Sequence, residues 1–318
     1  MEENREDEQR GMTQFTPAKL HWKNEERIFA IHEGETPFLS FRVLDKTGPV
    51  KNGFSTRFGG VSEGYLSSLN FSFAKAGEQR AHVMENYCRM AKALQVEASR
   101  MVVSWQTHTT NVRLVTEADC GKGLFRPRDY QDVDGLICNT PGITLVTLYG
   151  DCVPLYLLDP VHRAIGLSHS GWRGTVGRMG AVTIERMQEA FGSEPADLIC
   201  CIGPSICADC FEVGGEVAAE FLQAFGEADA VELITKDGQP LQPAELRHLS
   251  ETDRETLSKE KYHVDLWKAN VRVFQEAGVP EQQISVTNLC TKCNSAQFWS
   301  HRAAGTHRGN LAGFLTLL

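Results

Sequence analysis

The sequence predicts an α/β fold in one domain. Short apolar runs of strand length are separated by Gly, Pro and Asn turns, and other stretches place apolar residues at helical spacing. No Gly/Ser-rich or Pro-rich linker divides the 318 residues. Strand runs follow one another through tight turns more often than through helices, which indicates hairpins rather than a regular βαβ repeat.

The apolar and charged fractions, 42% and 23%, are those of a globular chain able to bury a sizeable core. A net charge of −9, with no bunched run among the 32 Lys and Arg, argues against a nucleic-acid binder, because phosphate-backbone binding depends on clustered cations. No apolar run is long enough to cross a bilayer, and the opening MEENREDEQRGMTQ lacks the hydrophobic segment of a secretion signal. The expectation is a cytoplasmic protein whose ten cysteines stay reduced and serve as core residues, metal ligands or nucleophiles.

Residues 1–18 read as a disordered acidic tail ahead of a single domain over 19–318. Strands are expected at 27–31 and 38–44, separated by Gly34 and Pro37, and at 50–58. The last runs into Gly59, Gly60 and Gly64, an irregular loop whose backbone can approach a ligand, with Arg57 at its start. Val83, Tyr87, Met90 and Leu94 predict a helix over 81–94. Strands follow at 101–105, 112–116, 136–138 and 143–149, and Asp132 and Asp134 are explained as turn residues. Residues 198–202 read as a buried strand and 216–225 as a helix. The polar, aperiodic residues 226–262 read as a long surface excursion. A helix opens at 263–266 and stops near Gly278 and Pro280, and a strand over 284–289 leads to Cys290.

The stretch GDCVPLYLLDPVHRAIGLSHSGWRG, residues 150–174, concentrates the chemistry. Apolar runs 155–158 and 164–167 flank the turn residues Asp159 to His162, so a hairpin is expected. Pairing Asp159 with Arg163 sets Cys152 opposite Ser170 and beside His169. Arg173 follows, and Val176, Met179, Ile184, Met187 and Phe191 predict a helix over 175–191 whose N-terminus points at the same place. His108, just past a predicted strand, is a further candidate.

Four groupings compete. His108, Cys152 and His169 form a three-ligand set with an open fourth position, the pattern of a catalytic zinc. Cys207, Cys210, Cys290 and Cys293 are two CxxC pairs that suit a closed four-thiolate zinc site. Against that site, Cys210 runs straight into Phe211 and Cys290 follows a strand without knuckle glycines. Cys152 and His169 also suit a metal-free nucleophile and base. A multinuclear copper oxidase needs paired HxH spacings, and the ten histidines contain none.

STRFGGVS, QTH, GDCVP, HSGWRG, IGPSI, FEVG and SHR occur here in the order of, and resemble, the motif series of the bacterial laccase-domain, polyphenol oxidase-like, purine nucleoside phosphorylase family. The resemblance covers about residues 50–318. This chain departs from the family pattern at Gly150, Ser170, Thr109, Phe211 and Ala303, where alanine, alanine, glycine, tyrosine and a second arginine are usual. The resemblance implies a single α/β domain with mixed β-sheets flanked by helices, similar to the catalytic domain of cytotoxic necrotizing factors. It also implies that Zn2+ is held by His108, Cys152 and His169, with Cu2+ as the alternative that the older family name carries. The implied reaction is phosphorolysis of adenosine, inosine, guanosine or methylthioadenosine to free base and ribose 1-phosphate, with adenosine deaminase activity. Arg57, Arg173 and Arg302 are the expected substrate-binding arginines, and phosphate with purine nucleosides the expected small-molecule partners.

Overall fold

The central hairpin, Val153–Asp159 paired with Ala164–Ser170, is buried on both faces. Leu155 and Leu157 enter one core while Tyr156 and Leu158, pointing the other way, enter a second. That two-sided burial accounts for unbroken apolar runs in place of an alternating pattern. A computed structural model describes residues 14–318, and it builds outward from this hairpin.

Two six-stranded sheets pack face to face. The first has the order Phe29–His32, Phe38–Phe41, Val50–Ser55, Leu311–Leu317, Thr144–Tyr149, Met101–Val103. The second runs Ile284–Val286, Ile199–Ile202, Val153–Asp159, Ala164–Ser170, Gly135–Cys138, Val112–Leu114. Both are mixed: Met101–Val103 is parallel to Thr144–Tyr149, while the hairpin neighbours are antiparallel. Between the sheets lie Phe54, Leu145 and Leu315 from the first and Leu136, Tyr156 and Leu167 from the second. The helix Arg80–Leu94 covers the outer face of the first sheet through Val83, Tyr87 and Met90. Met179–Phe191, Gly215–Leu233 and Leu266–Glu276 cover the second. The result is a single α/β domain with mixed sheets flanked by helices. Among the described residues no helix is long and apolar enough to cross a membrane.

Several expectations need correction. The 1–18 tail lies outside the described residues up to 13; from 14 onward it is packed, with Phe15 and Leu20 buried and Thr16 N donating to Gln297 Oε1 at 3.0 Å. The strand expected over 38–44 ends at Phe41 and turns into a short helix, Arg42–Thr47, because Asn52 Oδ1 takes the Phe41 N–H and Asp45 accepts from Ser40 and Asn52. The helix expected over 175–191 is two, Trp172–Val176 and Met179–Phe191, broken where Arg178 adopts φ +62°. The hairpin register is Asp159 with Ala164 and Val153 with Ser170, one residue from the expected pairing. Asp159 sets that register by accepting from Val161 N and His162 N at 2.8 and 2.9 Å, which leaves a four-residue loop.

The excursion at 226–262 is part of the core. The helix from Gly215 continues to Leu233 through a kink at Gly226, and Ile234–Lys236 and Lys261–Val264 join a four-stranded sheet. Leu249 and Leu257, 2% and 1% exposed, pack in the same core as Phe221. Leu249→Ala should therefore cost about 2–4 kcal/mol in urea unfolding, as cavity-forming substitutions do. A shift within about 0.5 kcal/mol, typical of surface positions, would return this segment to the surface.

Candidate metal centre

Cys152, one residue beyond the Val153–Ser170 pair, continues the hairpin register opposite Gly171. A Cβ on Gly171 would lie 3.1 Å from Cys152 Sγ and 3.0 Å from His108 Cδ2, so this position is kept free of a side chain. His169 is two residues back on the same strand, buried. His108 arrives from the first sheet on the loop after Met101–Val103, with φ +67°, a conformation that costs a non-glycine residue of order 1 kcal/mol.

Asp134 holds this arrangement together. Its buried carboxylate accepts the backbone N–H groups of Thr107, His108 and Thr109 at 2.9, 3.1 and 3.0 Å. It also accepts His169 Nδ1–H at 2.9 Å. A carboxylate only accepts, so the proton is on Nδ1 and Nε2 is turned toward Cys152. Sequence reasoning had explained Asp134 as a turn residue. Its role becomes visible only when strand 135–138 is placed beside the 164–170 strand.

Cys152 Sγ lies 3.9 Å from His108 Nε2, the two imidazoles meet edge to face at 5.0 Å, and the three ligand atoms lie within 4.8 Å of one another. Tetrahedral coordination with Zn–S and Zn–N bonds of about 2.3 and 2.05 Å separates sulfur from nitrogen by about 3.6 Å. The three side chains therefore fit one metal ion with a coordination position open to the cavity. Burial pushes the Cys152 thiol up, but the His169 imidazolium and the contact with His108 outweigh it and bring the thiol down to about 6. Burial alone would depress His169, yet the Cys152 thiolate and Asp134 raise it to about 9. In the metal-free protein the pair is thus poised as thiolate and imidazolium, and a metal ion taken up by both would displace the Nε2 proton of His169 while Nδ1–H stays on Asp134.

These groups open on a cavity of about 470 Å³ lined also by Phe71, Trp105, Arg128, His301, Arg308 and Asn310. The three arginines expected from the sequence do not line it. Arg57 stacks on Trp299 at 3.8 Å and donates to Ser295 O. Arg173 lies over Trp172, and Arg302 lies over Phe211 while donating to Cys210 O. The loop glycines beside Arg57 serve the chain itself, since a Cβ on Gly60 would sit 2.1 Å from Ser68 O.

The basic groups in the cavity are ones the sequence did not single out. Arg308 is buried, donates through Nη1 to Gly309 O, and leaves Nε unpaired. Its guanidinium lies across Gly150, where a Cβ would be 2.1 Å from Cζ. Burial, together with the Arg308 charge, lowers Lys75 to about 8. Lys75 is near Arg308 without lining the cavity, so it is Arg308 that makes a place for an anion at the cavity wall. Arg128 packs over the exposed ring of Trp105 at 4.5 Å and holds it at the cavity.

Residues 51–318 match the family described as multi-copper polyphenol oxidoreductase laccase. A Bacillus subtilis relative named purine nucleoside phosphorylase YlmD is 31% identical, over 83% of this chain and 87% of its own length. A protein named adenosine deaminase RL5, from an unknown prokaryotic organism, is 32% identical over 73% of this chain and 81% of its own. The crystal structure of Bacillus licheniformis hypothetical protein YfiH superposes with a TM-score of 0.79 at 27% identity, over 92% of this chain and all of that one.

In the metal-free protein, alkylation of Cys152 followed by peptide mass spectrometry should titrate with a midpoint near 6, its rate falling as acid protonates the sulfur. A midpoint at the ordinary thiol value would show no thiolate–imidazolium pair. Asp134→Asn keeps the shape but removes the charge that orients His169, and should weaken metal affinity about 10–100-fold. Unchanged affinity in a competition titration with a chromophoric chelator would deny Asp134 that part.

Proposed function

The chain belongs to the multi-copper polyphenol oxidoreductase laccase family, and we propose that it acts there as a zinc-dependent purine nucleoside phosphorylase with adenosine deaminase activity. One observation carries the reading: a single cavity joins the His108–Cys152–His169 donor set to the buried guanidinium of Arg308 and to the ring of Trp105. Relatives named for each of the two activities support it.

Phosphorolysis needs phosphate held beside the anomeric carbon with part of its charge offset. Arg308, at the cavity wall with an unpaired Nε, is suited to that. Trp105, backed by Arg128, offers a flat apolar face on which a purine can stack. Phosphate oxygen forms the new bond to the ribose carbon as the bond to the purine nitrogen breaks, giving ribose 1-phosphate and free base. Zinc, held by His108, Cys152 and His169, would supply Lewis acidity of the kind that activates water for replacing the purine amino group. His169, its Nδ1 fixed by Asp134, keeps Nε2 for ligation.

The donor set favours zinc over a copper oxidase site. Among the described residues only two groups of three or more ligands converge, and the other is all sulfur. A chain of coppers in redox contact needs more imidazoles than these. A second reading, a metal-free thiol hydrolase, draws support from the Cys152–His169–Asp134 series, which has the order of nucleophile, base and orienting carboxylate. In that reading His108 has no task.

Purified protein with inosine and phosphate should release hypoxanthine in proportion to phosphate, and adenosine alone should yield inosine and ammonia. Cys152→Ala and His108→Ala should lose the zinc of this site and turnover together. Arg308→Ala should retain zinc and lower kcat/KM for phosphate about 10–100-fold, the worth of a charge-assisted contact. Arg57→Ala should leave that constant unaltered. Hypoxanthine release independent of phosphate, or full activity after complete chelation, would overturn the reading.

A further inference from the structure

The CxxC pairs lie on two segments 80 residues apart in sequence, and the fold brings all four sulfurs within 4.8 Å of one another. Cys207 and Cys210 follow the Ile199–Ile202 strand; Cys290 and Cys293 follow its parallel neighbour Ile284–Val286. The two strands leave the sheet side by side. A bridge between Ser205 and Cys290 carries the pairing on, and Thr291 N donates to Ser205 O at 3.0 Å. The sequence objection, a lack of knuckle glycines, therefore fails: parallel register, not a tight glycine turn, places the sulfurs.

We propose that Cys207, Cys210, Cys290 and Cys293 bind a structural zinc ion in a closed tetrathiolate site. This goes beyond the activity argued above and does not depend on it. Four sulfurs around zinc at about 2.3 Å stand about 3.8 Å apart, and Cys210 Sγ and Cys293 Sγ already lie at 3.5 Å. Cys290 Sγ accepts N–H groups from Cys207 at 3.3 Å and Cys293 at 3.5 Å, so both segments already converge on this sulfur through their backbones. A span of 4.8 Å admits one ion but no bridged iron–sulfur cluster, whose cysteines sit on separate irons. Four thiolates and a dication leave surplus negative charge. Lys23, paired with Asp209 between Cys207 and Cys210, and Arg302, donating to Cys210 O, lie beside it.

The site's task is mechanical. Ile206 N donates to Asp151 O at 3.0 Å, Thr291 Oγ1 to Asp151 Oδ1 at 2.6 Å, and Ser300 Oγ and Arg302 N to Asp151 Oδ2 at 3.0 and 2.6 Å. Asp151 has φ +86° and precedes Cys152. An ion that clamps 207–210 to 290–293 thereby fixes two of the partners that hold Asp151, and with it the position of the Cys152 thiol.

The test uses the full chain with His108→Ala and Cys152→Ala, so that any zinc found belongs to the thiolate site. Prepared without added metal and dialysed against a weak chelator, this variant should retain one zinc per chain by plasma mass spectrometry. Its cobalt(II)-exchanged form should show intense tetrahedral visible bands and near-ultraviolet charge transfer of tetrathiolate strength. Adding Cys210→Ser and Cys293→Ser should remove that zinc; should the quadruple variant fail to fold, the cobalt spectrum of the parent decides. A folded parent, judged by circular dichroism, with little zinc and no tetrathiolate spectrum would overturn the proposal. So would an intact mass lacking four hydrogens, the sign of two disulfides in their place.

Discussion

The carboxylate of Asp134 is the point through which the two halves of the molecule agree on one geometry. The loop carrying His108 comes from the first sheet, and the strand carrying His169 belongs to the second. One buried anion takes three backbone N–H groups from the former and the imidazole N–H from the latter. Charge-assisted hydrogen bonds contribute about 1.5–3 kcal/mol each, and an unpaired buried carboxylate costs several. The group is thus stable only with all its donors in place. The same bonds hold the left-handed backbone at His108, so ligand geometry and loop conformation are one constraint.

The rigid support for that constraint is the pair of sheets packed face to face, each with helices behind it. Strands buried on both sides cannot slide by one residue without exchanging the side chains of two close-packed layers. Cys152, just past the end of such a strand, inherits its precision. Gly171 shows how tight the fit is, since the space a side chain would take is held by sulfur on one side and imidazole on the other. Gly150 carries the complementary message: the Arg308 guanidinium occupies the volume of an absent methyl group.

The fold class was legible in the sequence because apolar runs and turn residues are local signals. The convergence of Cys152 and His169 was legible because they share a hairpin whose turn chemistry is written at Asp159 and Pro160. What was hidden depends on long-range pairing. Arg308 and Arg128 carry no local mark: Arg308 joins the cavity only when the C-terminal segment returns to Gly150, and Arg128 only when its loop packs on Trp105. Arg57, in the conspicuous Gly-Gly segment, is instead consumed by Trp299, more than 200 positions later in the chain. The helices within 226–262 were masked by polar outer faces, although Leu246, Leu249 and Leu257 were there to be read. Phe15 was a lone aromatic in an acidic run, and nothing nearby foretold the pocket it fills.

Strand Leu311–Leu317 lies in the interior of the first sheet, between Val50–Ser55 and Thr144–Tyr149. On a ribosome these two flanking strands emerge long before the one that joins them. Each exposes an unpaired edge until residues 311–317 have left the exit tunnel. The nascent chain must therefore wait in a half-closed state, with the second sheet able to form while the first is still open. Closure is a late, non-local event, which slows folding and places synthesis of this protein within reach of chaperones that recognise exposed strand edges.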